Sequence, residues 1–283
     1  MDVLVSGAWL EEHLGDPDLR VLECTVHLAL DPATGRYGMT SGRASWEAGH
    51  IPTSAFVDLV DELSDPHPTL RFAWPSPERV AGVMARLGVG AGTRVVLYDR
   101  AMTMWATRVW WVLAAHGFTD VAVLDGGFAA WTADGRPVTT DPAPSRPAAS
   151  FSAALRPGWV ADRAEVLASI GTEATCIVNS LSEAQHRGED LLYGRPGHIP
   201  SAVNIPAAGL VDRTTHRYLD VDTLRARFAD ALGRDRVITY CGGGIAATSD
   251  AFVLTALLGH PGVGVYDGSM SEWVLDPDAP LEV

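Results

Sequence analysis

The chain has 283 residues, 47% hydrophobic and 20% charged, with a formal net charge of −14; that mix excludes disorder, and at roughly 150 residues per domain the length suits two domains. All 21 basic residues are arginine, so the chain forms no lysine Schiff base and has no phosphate loop ending in Gly-Lys-Ser/Thr. The acid excess argues against nucleic acid, and no apolar run approaches the ~20 residues that span a bilayer.

In chain order, the N-terminus carries Asp2, Glu11, Glu12, Asp16 and Asp18 without a basic start, so no signal peptide is expected. Val21-Leu22 reads as a strand, and 77–87 has helical spacing. A strand at Arg94–Tyr98, a helix at Met104–Ala115 and a strand at Val121–Leu124 follow. Proline density over 141–147, then Arg156-Pro157-Gly158, marks a stiff linker. Beyond it come a strand at 176–178, a helix at 221–232, a strand at Arg236–Tyr240, a helix at 246–258 and a strand at 264–266. Strands alternating with helices predict α/β architecture, each sheet mainly parallel and flanked by helices. The expected division is a first domain at 1–140, a linker at 141–158 and a second domain at 159–283.

The two halves repeat one another. Gly49-His50-Ile51-Pro52 returns as Gly197-His198-Ile199-Pro200, and Arg94–Tyr98 is matched by Arg236–Tyr240. The next residues differ: Asp99 in one copy, Cys241 in the other. Asp-Gly comes 26 residues later in both (Asp125-Gly126, Asp267-Gly268), and a tryptophan six after each Asp (Trp131, Trp273). A period of about 140 residues is a whole domain, longer than any solenoid unit.

Ligands of parallel sheets bind beyond the carboxyl ends of the strands, which points at Asp99 and Cys241. Cys241-Gly242-Gly243-Gly244-Ile245-Ala246 lies between a strand and a helix. Successive glycines let amide groups turn inward as an anion nest, and the helix start adds positive potential; both favour a thiolate. Cys24 and Cys176 sit in apolar strand patterns without such a loop and read as core. Three cysteines make no disulfide framework, so free thiols and a cytoplasmic location are expected.

The duplicated Gly-His-Ile-Pro, the Asp-Gly-x5-Trp tails and a six-residue loop opened by Cys241 in the second copy resemble the tandem rhodanese-type sulfurtransferases, which act on thiosulfate or 3-mercaptopyruvate. The resemblance covers nearly the whole chain. It implies two rhodanese-like domains, the first silent because Asp99 cannot carry a sulfane sulfur, the second using Cys241 as nucleophile. Gly242, Gly243, Gly244, Ile245 and Ala246 would cradle a persulfide whose sulfur comes from a small anionic donor. It then passes to cyanide or to a thiol acceptor, a small thiol or a thioredoxin-like protein. No cofactor or metal is called for, and no nucleic-acid or membrane partner.

Thiosulfate-type loops resemble Cys-Arg-Lys-Gly and mercaptopyruvate-type loops Cys-Gly-Ser-Gly. Gly242 matches the second pattern, whereas Gly243 supplies neither cation nor serine. Asp65 matches the family's relay aspartate; the relay histidine falls at Phe72, with His67 close by in sequence. The family has Asp where this chain has Asn179 and Arg where it has Gln185. Arg187 stays on the pattern, and Arg195 lies near the last anion-binding arginine, so both are candidate substrate cations. Met270 stands where tryptophan is common and reads as a core filler. Two rivals remain. A phosphatase would need a longer loop closing on an arginine, and Ala247 and Thr248 stand there instead. The other is a persulfide carrier or sensor that serves a protein partner without turning over a small donor.

Overall fold

The computed structural model describes residues 1–31 and 36–283. Its first half contains β1 (Leu4–Val5), β2 (Leu19–Glu23), β3 (Val26–Asp31), β4 (Arg36–Ser41), β5 (Ala55–Phe56), β6 (Arg94–Tyr98) and β7 (Val121–Leu124). The second half contains β8 (Val160–Ala161), β9 (Thr175–Asn179), β10 (Val203–Asn204), β11 (Arg236–Tyr240) and β12 (Val263–Tyr266). Two parallel five-stranded sheets result, in the orders β1-β7-β6-β2-β5 and β10-β9-β11-β12-β8. Reversing one order gives the other, copy for copy. The middle strands, β6 and β11, are apolar and β-branched because helices cover both of their faces; Val95, Val96 and Leu97 are fully buried, as are Val237, Ile238 and Thr239.

The repeated motifs are scaffold. Ile51 N donates to Tyr98 Oη, and Ile199 N to Tyr240 Oη, so each Gly-His-Ile-Pro turn is pinned to its middle strand. His50 pairs by backbone with Thr139 and His198 with Glu282, drawing each copy's tail back over the turn. A side chain at Gly197 (φ +93°) would overlap Glu282 O, which explains the glycine. Trp131 and Trp273 each donate from Nε1 to a tail carbonyl, of Pro137 and Pro280.

Three features differ from the sequence reading. The helix expected over 221–232 is two pieces, Val221–Arg227 and Ala229–Leu232, because buried Phe228 interrupts it. The helix expected over 246–258 is α-helical only from Ala246 to Phe252 and widens into a π turn at Val253–Leu257. The antiparallel hairpin β3–β4 has no counterpart in the second copy and carried no clear periodic signal.

The copies meet through equivalent helices. All of Met104–Ala115 except its first residue is buried, as expected for a helix packed on every side. Thr107 Oγ1 lies 3.2 Å from Thr248 Oγ1 and 3.1 Å from Ser249 Oγ, and Trp110 meets Phe252 edge to face at 5.0 Å. Residues 141–158 hold no helix or strand and are tied to the first copy through Ala149 N to Ala85 O and Arg156 N to Ala115 O. Among the described residues no helix is long and apolar enough to cross a membrane.

Candidate active site

Cys241 stands at the carboxyl end of β11, the middle strand of the second sheet, and only 3% of it is exposed. The loop that follows is organised by a turn after β12. Ser269 Oγ accepts from Cys241 N (3.0 Å) and Gly244 N (3.2 Å) and donates to Tyr266 O (2.8 Å). Ser269 holds a left-handed φ of +50° to do so, a strain typical of functional loops. Met270 N donates to Cys241 O, while Ser271 N and Oγ both donate to Gly242 O. Among the described residues the amides of Gly242, Gly243 and Ile245 take no protein acceptor.

The glycines are individually accountable. Gly244 has φ +74°, and a Cβ there would lie 2.7 Å from Asp267 O. A Cβ at Gly242 would overlap Tyr193 Oη: this phenol occupies the place of a side chain at position 242. Burial, with Cys241 and Asp190 near it, pushes Tyr193 up, which keeps its hydroxyl protonated. Gly243 is different, because a Cβ there meets only Ser271 Oγ, at 3.8 Å.

The loop is also braced by the first copy. Arg108, fully buried in the helix Met104–Ala115, donates from Nη1 to Gly244 O (3.1 Å) and to Asp267 Oδ1 (2.5 Å). Its Nη2 donates to Phe72 O at 2.8 Å. This ion pair crosses between the copies directly beneath the glycines.

Above the loop lies a cavity of about 1050 Å³ formed by both halves. Cys241, Gly242, Gly243, Ile245 and Ala246 line it from below; Met39 of the hairpin, Phe72, Trp105, Tyr193 and Leu275 are among its walls. Gly244 belongs to the loop without lining the cavity. Of the three free cysteines, only Cys241 reaches it. Burial pushes Cys24 well above a free thiol and Cys176 up to about 11, Arg234 offsetting part of the latter, as for inert core thiols.

The other expected site residues are not brought to the cavity. Arg187 is exposed and pairs with Glu189 (2.9 Å) and Glu183 (3.3 Å). Arg195 donates to the carbonyls of Asp276 and Ala279, bracing the C-terminal tail. Asp65 is bound by Arg79 at 2.7 Å. His67 is exposed, and its Nδ1 accepts from the amides of Thr69 and Leu70. None of the four lines the cavity; its arginine, among the described residues, is Arg71. Arg71, Tyr193, Ser269 and Arg108 went unmarked in the sequence because Arg71 meets the cavity, and the other three the loop, from segments distant along the chain. Among the described residues no cluster of three or more His, Cys, Asp or Glu side chains is placed to hold a metal ion.

The model of the rhodanese-like domain matches residues 6–134 and again 165–276. A probable 3-mercaptopyruvate sulfurtransferase of Pseudomonas aeruginosa is 33% identical over 288 residues, covering 98% of this chain and 97% of that one. A thiosulfate sulfurtransferase of Gallus gallus is 33% identical over 281 residues, covering 95% and 92%. The crystal structure of SseA from Escherichia coli, a 3-mercaptopyruvate sulfotransferase, superposes with a TM-score of 0.80 at 30% identity, over 95% of this chain and 99% of that one.

Proposed function

The chain belongs to the rhodanese-like family and is a sulfurtransferase, and from that premise we propose that Cys241 is its nucleophile, passing sulfane sulfur from a small anionic donor to a thiol or cyanide. The observation that carries the reading is the position of Cys241: the sole cysteine on the cavity, on a loop whose free amides lie beside it. With thiosulfate, the Cys241 thiolate attacks the outer sulfur, the S–S bond breaks, and its electron pair leaves on sulfite. With 3-mercaptopyruvate the C–S bond breaks instead, the pair enters the pyruvate enolate, and the thiol proton ends on that enolate. Either way Cys241 carries a persulfide, whose negative outer sulfur suits the amides of Gly243 and Ile245.

The test is mass spectrometry of the chain after exposure to each donor, with sulfite or pyruvate release followed in parallel. The expected result is one added sulfur on Cys241 and steady turnover, both lost in Cys241→Ser. A persulfide that forms without turnover would instead establish the carrier reading. Release of sulfite or pyruvate that survives Cys241→Ser would overturn the assignment of the nucleophile.

A further inference from the structure

The cavity is poorly matched to the donors alone. Thiosulfate and 3-mercaptopyruvate are small hydrophilic anions, whereas the space over Cys241 is about 1050 Å³, the upper end of what encloses a drug-sized ligand. Its rim is apolar as well as wide. Leu28 and Tyr37 on the hairpin, Leu191 before Tyr193, and Leu275 near the C-terminus all line it, and they are 43%, 41%, 56% and 59% exposed. Large apolar side chains left this open around one opening mark a surface that something covers.

The charges of the cavity are equally specific. Asp267 is neutralised from beneath by Arg108 at 2.5 Å. Asp190 lies on the exposed edge, its Oδ1 accepting from Leu192 N. Arg71 donates one Nη1 bond to Tyr37 O, at 2.6 Å, and among the described residues no carboxylate pairs with it. Arginine presents a planar fork that fits two oxygens at once. The arginine of the cavity lining, among the described residues, thus comes from the first copy, where Leu70 and Phe72 beside it also line the cavity.

We propose that this cavity binds a thiol acceptor made of an apolar or aromatic body and one carboxylate, the carboxylate on Arg71 and the body against Leu28, Tyr37, Leu191 and Leu275. The inference rests on Cys241 carrying the sulfane sulfur. The acceptor thiolate attacks the outer sulfur of the persulfide; the bond between the two sulfurs breaks, and its pair returns to Cys241 as thiolate. The product is an organic persulfide, and total charge and electrons are conserved without an added oxidant or reductant. Burying the body against the rim supplies affinity, and Arg71 supplies orientation.

The experiment loads Cys241 with thiosulfate or 3-mercaptopyruvate, removes the donor, and follows loss of the extra sulfur by mass. Three thiols are compared at equal thiolate concentration: 2-mercapto-3-phenylpropanoate, mercaptoacetate without the body, and 2-phenylethanethiol without the carboxylate. The phenyl acid is expected to discharge the persulfide about tenfold faster than either fragment. Arg71→Gln should remove about tenfold from the phenyl acid and leave phenylethanethiol unchanged. Leu191→Asp, at an exposed position that cannot compromise folding through the core, should slow both phenyl thiols and spare mercaptoacetate. Equal discharge by all three thiols, or an Arg71→Gln effect shared by all three, overturns the inference and leaves the nucleophile standing. Failure of Cys241 to take up sulfur overturns the nucleophile and the inference together.

Discussion

The loops after β6 and β11 share a backbone plan and differ in where the negative charge comes from. In the first copy the charge is Asp99 itself. Its Oδ1 accepts from the amides of Ala101 and Thr103, and its Oδ2 from those of Trp105 and Ala106, at 2.8–3.0 Å. Burial raises Asp99 and these four amides pull it back. In the second copy the positions matching Ala101 and Thr103 are Gly243 and Ile245, whose amides take no protein acceptor among the described residues. Thr248, matching Ala106, has instead turned its amide to Ile245 O. One loop has closed on its own carboxylate, and the other leaves two of the matching donors without a protein acceptor among the described residues, as the persulfide proposed on Cys241 requires.

The same offset of 142 residues pairs Arg108 with Asp250, and these two differ as much. Arg108 crosses to the partner copy and finds Gly244 O and Asp267 there. Asp250 is fully buried, and among the described residues neither carboxyl oxygen has a hydrogen-bond partner. The strongest way to break the comparison is therefore Arg108→Ala, which strands Asp267 beneath the Cys241 loop. A loss of about 3–5 kcal/mol in urea unfolding is expected, as for other buried pairs that lose one partner. An unchanged midpoint would mean the second loop holds its shape without the first copy.

Next in size is Asp99→Ala, which leaves four buried amides without an acceptor. It should cost about 2–3 kcal/mol of stability while turnover at Cys241 is preserved. The converse exchange, Asp99→Cys with Cys241→Ser, should transfer no sulfur, since Asp99 is buried and does not line the cavity. Sulfur appearing at position 99 of that double variant would show that the two loops are interchangeable.

Asp250 sharpens the comparison through pH. Burial pushes its carboxyl well above the ordinary carboxylate range. Because the folded value is raised, the native state keeps a proton that the unfolded chain has already lost. Stability therefore falls as pH rises from the unfolded value towards the raised one, by up to about 1.4 kcal/mol per pH unit. Asp250→Asn lacks this term, so its advantage over the parent chain should grow between pH 5 and pH 8 in thermal unfolding. A difference that stays flat over that range would show that Asp250 ionises freely.

What the sequence discloses follows from what repeats and what is periodic. β6 and β11 are legible because each is a short, mainly β-branched run between an arginine and a tyrosine, and each confirms the other. Edge strands such as β5 and β10 have two residues each, too few for any alternation, and the hairpin β3–β4 has no second copy to compare. In the site, Cys241 and its glycines announce themselves because three consecutive glycines between a strand and a helix have no use in core packing. Arg71 and Tyr193 do not: Arg71 meets the cavity only when the two halves pack, and Tyr193 reaches Gly242 only when the second copy folds a distant segment over the loop. Arg187 and Arg195 stand beside the right motif in sequence and are consumed by Glu183, Glu189 and two tail carbonyls. Proximity along the chain says little about which arginine faces a cavity.

The smallest expected effect tests the loop itself. Mercaptopyruvate-type loops resemble Cys-Gly-Ser-Gly, and Gly243 is where this chain omits the serine. A Cβ at Gly243 would have 3.8 Å to its nearest neighbour, Ser271 Oγ, so Gly243→Ser should fold without displacing anything. A hydroxyl there would stand near Ser271 on the cavity lining and could share in moving the proton that, on the proposed mechanism, must reach the enolate. We expect kcat/KM for 3-mercaptopyruvate to rise several-fold, on the order of 1 kcal/mol for one added hydrogen bond, with thiosulfate unaffected. Gly242→Arg, which would imitate the thiosulfate-type loop, is the control. Tyr193 Oη already fills the space a side chain would need there, so it should impair both donors unless Tyr193→Ala accompanies it. If Gly242→Arg alone raised thiosulfate turnover, Tyr193 would have to be mobile, and the phenol would be a gate over Cys241 in place of a fixed wall.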